Sequence, residues 1–210
     1  MEWAAWEPTY RSILADFGYD PKLDELARDE LDAMLAERPV YDLAPLRALF
    51  ARKDVVVAGP KPPSSPPPHP RLIATDAASW AFDGAIAIVT DLDGDVHAQR
   101  EANARGVPLF VHAHGDDRET LRRVVPTLSG PVVGTTQAQP RGRVANFGGF
   151  TDGDRACALA VALGAASLTL VGFDFDEPWP KPGRDAATKR RKLAWARRII
   201  DRLGVPVTMR

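Results

Sequence analysis

Apolar positions along this chain recur at two different spacings, and the change from one to the other falls near residue 52. Trp3, Trp6, Tyr10, Ile13, Leu14 and Phe17 repeat at intervals of three and four, as one buried helical face requires, and Gly18 ends that helix. Leu23, Leu26, Leu31, Met34 and Leu35 predict a second amphipathic helix closed by Pro39, and residues 43–52 a short third. From residue 53 onward, short β-rich runs alternate with helical ones. Strands are predicted at 55–58, 72–74, 85–89, 107–111, 131–133, 168–171 and 205–207, and helices at 76–81, 96–105, 117–125, 152–163 and 187–203. That alternation predicts an α/β fold with a Rossmann-like, mostly parallel sheet and helices on both faces. Residues 53–210 form this domain, and residues 1–52 are a helical N-terminal segment packed on it as one structural unit. Ligands of such sheets bind beyond the carboxyl ends of the strands.

Composition narrows the class. The 210 residues are 45% hydrophobic and 26% charged with a net charge of −1, which excludes a disordered chain and a general nucleic-acid binder. Charge is unevenly spread: residues 1–50 carry eleven acids against five bases, and residues 181–210 ten bases against two acids. Two solvated helical faces that balance each other account for this, as does a basic C-terminal helix facing a polyanion. The single Cys157 excludes an intrachain disulfide and sits in an Ala-rich run, as a small core residue would; it fits a reducing cytoplasm. No basic-then-apolar leader opens the chain. The uncharged stretch 156–173 is divided by Gly164 and is expected to be a buried helix, a turn and a buried strand, so no membrane partner is expected. Seven of the twelve residues 59–70 are proline, as in an extended loop.

Chemistry-bearing residues follow the strands. Thr90-Asp91-Leu92-Asp93-Gly94-Asp95 places Asp91 and Asp93 one residue apart just past a buried strand. If the strand runs on by one residue, both carboxylates point to one side and suit a hard divalent cation such as Mg²⁺. Asp116, after the next strand, could complete that shell or act as a base, and Asp95 is expected to be exposed. His112 and His114 suit a phosphate or a substrate ring better than zinc, and Asp116 or Asp117 could cap the following helix. Thr135, Thr136 and Gln137 offer hydroxyls and an amide for an anion or a polar heterocycle. Asn146 precedes Gly148 and Gly149, whose freedom allows backbone to approach a ligand, and Thr151 or Asp152 then caps a helix. Asp174 sits at another strand end, and Lys189 and Lys192 head the basic helix, with Arg190 and Arg191 turned outward. Neither Gly-x-x-x-x-Gly-Lys-Ser/Thr nor Gly-x-Gly-x-x-Gly occurs.

Together, Val-Thr-Asp-Leu-Asp-Gly at 89–94, Val-His-Ala-His-Gly-Asp at 111–116, Gly-Thr-Thr-Gln at 134–137, the run 146–156 and Gly-Phe-Asp-Phe at 172–175 resemble the archaeal 6-hydroxymethyl-7,8-dihydropterin pyrophosphokinases over residues 1–205. The resemblance implies Mg²⁺-dependent transfer of diphosphate from ATP to the hydroxymethyl group of a reduced pterin, with release of AMP, in tetrahydromethanopterin or folate biosynthesis. It implies a fold similar to the thiamine pyrophosphokinases, whose acids correspond to Asp91 and Asp93, and it keeps Asp76 of the family's Ala-Asp-Gly, here Thr75-Asp76-Ala77. The family's Gly-rich loop after the first strand is replaced by Ala58-Gly59-Pro60-Lys61. A homo-oligomer is compatible with this reading. Three other readings compete: a haloacid-dehalogenase phosphatase, an Asp-x-Asp glycosyltransferase and a non-catalytic nucleotide-binding module. The two strands ahead of Asp91 count against the first.

Overall fold

The computed structural model describes residues 2–64, 69–177 and 185–210. Three helices lead: α1 (Trp3–Phe17), α2 (Pro21–Leu35) and α3 (Ala44–Phe50). They are followed by β1 (Asp54–Ala58), β2 (Leu72–Thr75), a 3₁₀ turn (Ser79–Gly84), β3 (Ala87–Thr90), α4 (Val96–Ala104), β4 (Leu109–Ala113), α5 (Arg118–Val124), β5 (Val132–Thr136), β6 (Val144–Ala145), α6 (Asp152–Ala162), β7 (Ser167–Val171), α7 (Ala186–Asp201) and β8 (Val207–Met209). The strands form one eight-stranded sheet in the order β6-β5-β4-β3-β2-β1-β7-β8, and every strand pair in it is parallel. Strand order runs outward from β1 to β6 and then resumes on the other side of β1, so the topological switch lies between β1 and β7.

Alternation along the strands divides the core into two layers. Val56, Ala58, Ile88, Leu109 and Val111 face α2, α4 and α5, meeting Ala27, Leu31, Ala102 and Leu121. Val55, Val57, Ile73, Val89, Phe110 and Leu170 face the other way, toward Phe50, Ala156, Leu159, Ile200 and Cys157, which is a core residue as expected. A third cluster joins Trp6, Tyr10 and Ile13 of α1 to Phe150 and to Ile199 of α7. Among the described residues no helix is long and apolar enough to cross a membrane.

Three strand starts depart from the sequence pattern for a common reason, while the strand expected at 85–89 runs instead over Ala87–Thr90. Three strands expected at 107, 131 and 205 begin at Leu109, Val132 and Val207, directly after Pro108, Pro131 and Pro206. Proline brings no N–H to a ladder, but the carbonyls of these prolines accept from Ile88, Leu109 and Leu168 at 2.9–3.1 Å and so start the pairing. β4 then runs on through His112 and Ala113, and β5 through Thr135 and Thr136. The helix expected at 76–81 is instead a loop followed by the 3₁₀ turn, because Asp76 is buried and bonded toward the β3 loop. β6 has two residues and no sequence signal. Residues 65–68 of the proline run lie outside the described residues.

Candidate functional site

A cavity of about 990 Å³ opens over the carboxyl ends of the strands, within the size range of small-molecule sites. The loops after β1, β2, β3, β4, β5 and β7 contribute to it, as do the start of α6 and one face of α7. Three carboxylates meet at its floor. Asp76, Asp91 and Asp93 each offer an oxygen within 4.8 Å of the other two, among the described residues the one group of this kind.

The chain turns sharply to bring them together. β3 stops at Thr90, so Asp91 and Asp93 are not carried on an extended strand end; Leu92 between them has φ of +63°. Left-handed backbone is uncommon for a branched residue and stores about 1 kcal/mol or more. The fully buried Leu92 side chain and the surrounding bonds hold it: Leu92 N–H donates to Thr90 Oγ1 at 2.7 Å and Asp93 N–H to Asp91 Oδ1 at 3.3 Å. Asp76 Oδ1 accepts from Thr90 Oγ1 (2.6 Å), Gln99 Nε2 (2.8 Å) and Gly94 N–H (3.2 Å). A Cβ on Gly94 would lie 2.3 Å from Asp76 Oδ2, so the turn fits against this carboxyl only with glycine there. Asp95 is exposed and caps α4 through Ala98 N–H.

Like charges this close set each other's protonation. Burial and then the charge of Asp91 push the Asp76 carboxyl up to about 7. Burial works against ionised Asp91 as well, but the hydrogen bond and charge of His114 outweigh it and hold Asp91 far below the ordinary carboxylate range. His114 Nε2 lies 3.5 Å from Asp91 Oδ2 and 3.8 Å from Asp117 Oδ2, and although burial opposes its charge these partners raise its pKa. Asp152, at the start of α6, is pushed well up by burial and by Asp91, against the pull of Arg155 at 3.1 Å.

The other residues singled out in the sequence fall in different places. Asp116 is exposed on the cavity wall and lies outside the three-carboxylate group, where Asp76 stands instead. Asp117 starts α5 without a side-chain bond to the helix, and accepts from His114 N–H. Gln137 reaches the cavity, whereas Thr135, Thr136 and the 2% exposed His112 line a small separate cavity behind it. Asn146 braces the β5 loop through Gln137 O and Ala138 O and accepts from Gly148 N–H. Gly149, at φ +96°, is needed because a Cβ would meet Arg155 Cα at 2.5 Å, so its close approach is to α6. The N-cap of α6 is Thr151, whose N–H reaches Asp154 at 2.8 Å. Asp174 lines the cavity while accepting from Asp176 and Glu177 N–H, and Lys189 and Lys192 line it from α7. Arg190 and Arg191 are exposed, Arg191 pairing with Asp16 at 2.9 Å.

Four contributors have no signal in the sequence pattern. Arg155 enters the cavity from the first turn of α6, with Nη1 on Asp152 and Nη2 3.4 Å from Gln137 Oε1. Asp24 of α2 is buried and bridges Gly115 N–H, Tyr10 and Gln137 at 2.8–2.9 Å, tying the N-terminal segment to the loops after β4 and β5. Tyr19 and Leu23 form the adjoining wall. Only the tertiary fold brings α2 to this edge.

Comparison with known proteins places these features in a family. Residues 87–178 match the model of the family described as 6-hydroxymethylpterin diphosphokinase MptE-like. Three archaeal proteins named 6-hydroxymethyl-7,8-dihydropterin pyrophosphokinase are similar over nearly their whole length. That of Methanothermobacter thermautotrophicus is 39% identical, covering 96% of this chain and 94% of its own. Those of Pyrococcus furiosus and Methanocaldococcus jannaschii are 35% and 34% identical, covering 96% and 97% of this chain and 94% and 96% of theirs.

Proposed function

Since the chain belongs to the 6-hydroxymethyl-7,8-dihydropterin pyrophosphokinases, we propose that it transfers diphosphate from ATP to the hydroxymethyl oxygen of 6-hydroxymethyl-7,8-dihydropterin and releases AMP. The observation that carries the chemistry is the group Asp76, Asp91 and Asp93 on the floor of a cavity whose walls carry Arg155, Lys189, Lys192 and Lys61.

The donor set fits Mg²⁺. All three ligand atoms are carboxylate oxygens, and burial and then the charge of Asp91 push the Asp76 carboxyl up to about 7, a penalty that a cation shared by the three would relieve. Asp76, Asp91 and Asp93 would hold the ion, which when bound neutralises and orients phosphate oxygens. The rest of the work belongs to the chain's own groups. His114 keeps Asp91 ionised. Arg155, Lys189 and Lys192 draw the polyphosphate against the strand ends. A bond forms between the hydroxymethyl oxygen and the β-phosphorus as the bond from that phosphorus to the α–β bridging oxygen breaks, and AMP departs. Asp116, exposed on the cavity wall, takes the hydroxyl proton. The rate enhancement comes from alignment and charge compensation, as in other phosphoryl transfers.

Dependence on both substrates tests this. AMP is expected to accumulate only when ATP, the reduced pterin alcohol and a divalent cation are all present. AMP formed at the same rate without the pterin would mark the protein as a hydrolase and overturn the proposal.

A further inference from the structure

The N-terminal helices grip the loop after β5 at one residue, Gln137. Its backbone oxygen accepts from Trp6 Nε1 of α1 at 2.8 Å and from Asn146 Nδ2 at 3.0 Å, which fixes the main chain there. Its side chain is held at both ends. Gln137 Nε2 donates to Asp24 Oδ2 of α2 at 2.8 Å, and Gln137 Oε1 accepts from Arg155 Nη2 of α6 at 3.4 Å. The buried His112 ring is a further hydrogen-bond partner of the same amide. Asp24, Gln137 and Arg155 are all buried, and a buried polar group left unpaired costs about 1–3 kcal/mol.

An amide turned over end for end keeps its shape, so its partners alone decide which end faces where. Asp24 decides it here. Its Oδ1 takes Gly115 N–H at 2.8 Å, and its Oδ2 takes Tyr10 O–H at 2.9 Å as well as the amide. Burial and then the Asp24 charge push the Tyr10 hydroxyl above its usual pKa, so it keeps the proton it donates. An ionised carboxylate only accepts, so Asp24 takes the NH2 end of Gln137; a guanidinium only donates, so Arg155 needs the oxygen end. Arg155 Nη1 is held separately by Asp152 Oδ1 at 3.1 Å. We infer that Asp24 is a positioning residue, one that orders the Gln137 amide and through it holds the Arg155 guanidinium facing the cavity. That Arg155 there receives the polyphosphate rests on the function proposed above. The N-terminal helices thereby set the aim of an active-site cation that lies more than a hundred residues downstream.

Reversing the polarity of the contact tests this. Asp24→Asn keeps the shape, and its oxygen can still take Gly115 N–H. Its NH2 then faces Gln137, whose amide must turn over to accept, aiming its own NH2 at Arg155. Gln137→Glu sets a second carboxylate against Asp24. In the double variant the new amide donates to the new carboxylate, whose other oxygen accepts from Arg155. Each single variant is expected to raise the KM for ATP about tenfold with a smaller change in kcat, and the double to return to within about threefold of wild type. A crystal structure of Asp24→Asn is expected to show Arg155 displaced. A double variant no better than either single one, or an Arg155 unmoved in Asp24→Asn, would overturn the inference. Melting reads the same cycle without substrates: the double is expected to melt above both single variants, and losses that simply add would again overturn it. Wild type that releases no AMP, beside a double variant that melts above both single ones, would sink the function and leave the hold of Asp24 on Arg155 standing.

Discussion

At the scale of single residues, the account rests on the division of labour among acids. Asp91 is the ionised member, held so by His114, and Asp76 is the member that gives way when no cation is present. Asp91→Asn keeps shape and deletes the charge. It is expected to lower kcat about 10²-fold or more with the fold retained, whereas Asp95→Asn, in which the amide still caps α4, should leave turnover near wild type. Asp76 makes a stability prediction. Its folded pKa of about 7 lies above the ordinary 3.8, so the native state holds a proton that the unfolded chain has released. The stabilisation from this group is complete below pH 3.8 and lost as pH rises through about 7. With a chelator present, Asp76→Asn should melt several degrees above wild type at pH 8 and level with it near pH 4, while losing turnover. Coincident melting curves at pH 8 would show that Asp76 carries no such penalty. The pair Asp91 and Asp93 was legible from spacing, but the route to it was not: Leu92 in left-handed backbone replaces the extended strand end, and no residue type in Asp-Leu-Asp announces that.

At the scale of elements, the sheet was legible because its strands are short apolar runs between helical segments. Its edges were not, since Val-Pro and Gly-Pro pairs look like strand starts although pairing begins on the far side of each proline. β6 was invisible at two residues. The basic helix α7 was read two ways, and its two faces answer differently. Arg191 and Trp195 Nε1 bond Asp16 of α1, where the acidic and basic ends of the chain meet. Lys189 and Lys192 look into the cavity, and the Lys192 ammonium stands 5.5 Å from the Phe150 ring centre. Replacing both lysines with alanine is expected to raise the KM for ATP roughly tenfold and spare the pterin KM, in proportion to two lost charge contacts partly screened by solvent. Unchanged constants for both substrates would assign this face, too, to packing against α1.

At the scale of the whole molecule, the N-terminal segment is wall as well as cover. Leu31 and Leu35 of α2 lie against β5 so closely that a Cβ on Gly134 would meet Leu35 Cδ1 at 2.7 Å, and Asp24 of the same helix joins two active-site loops. Leu31 is fully buried, so Leu31→Ala should cost about 3 kcal/mol in a single cooperative urea transition of the whole chain. A separate early transition would mean that residues 1–52 fold apart from the sheet. The sequence told of an amphipathic helix here but not what it covers, because a buried aspartate on its inner face looks like any acid on a helix until Tyr10, Gln137 and Gly115 are in place around it. The central claim is that this cavity moves a diphosphate as one unit. Purified protein given ATP, Mg²⁺ and 6-hydroxymethyl-7,8-dihydropterin, with products resolved by chromatography and mass spectrometry, is expected to yield AMP and the pterin diphosphate in equal amounts. ADP with a pterin monophosphate, or inorganic diphosphate with an adenylylated pterin, would contradict it.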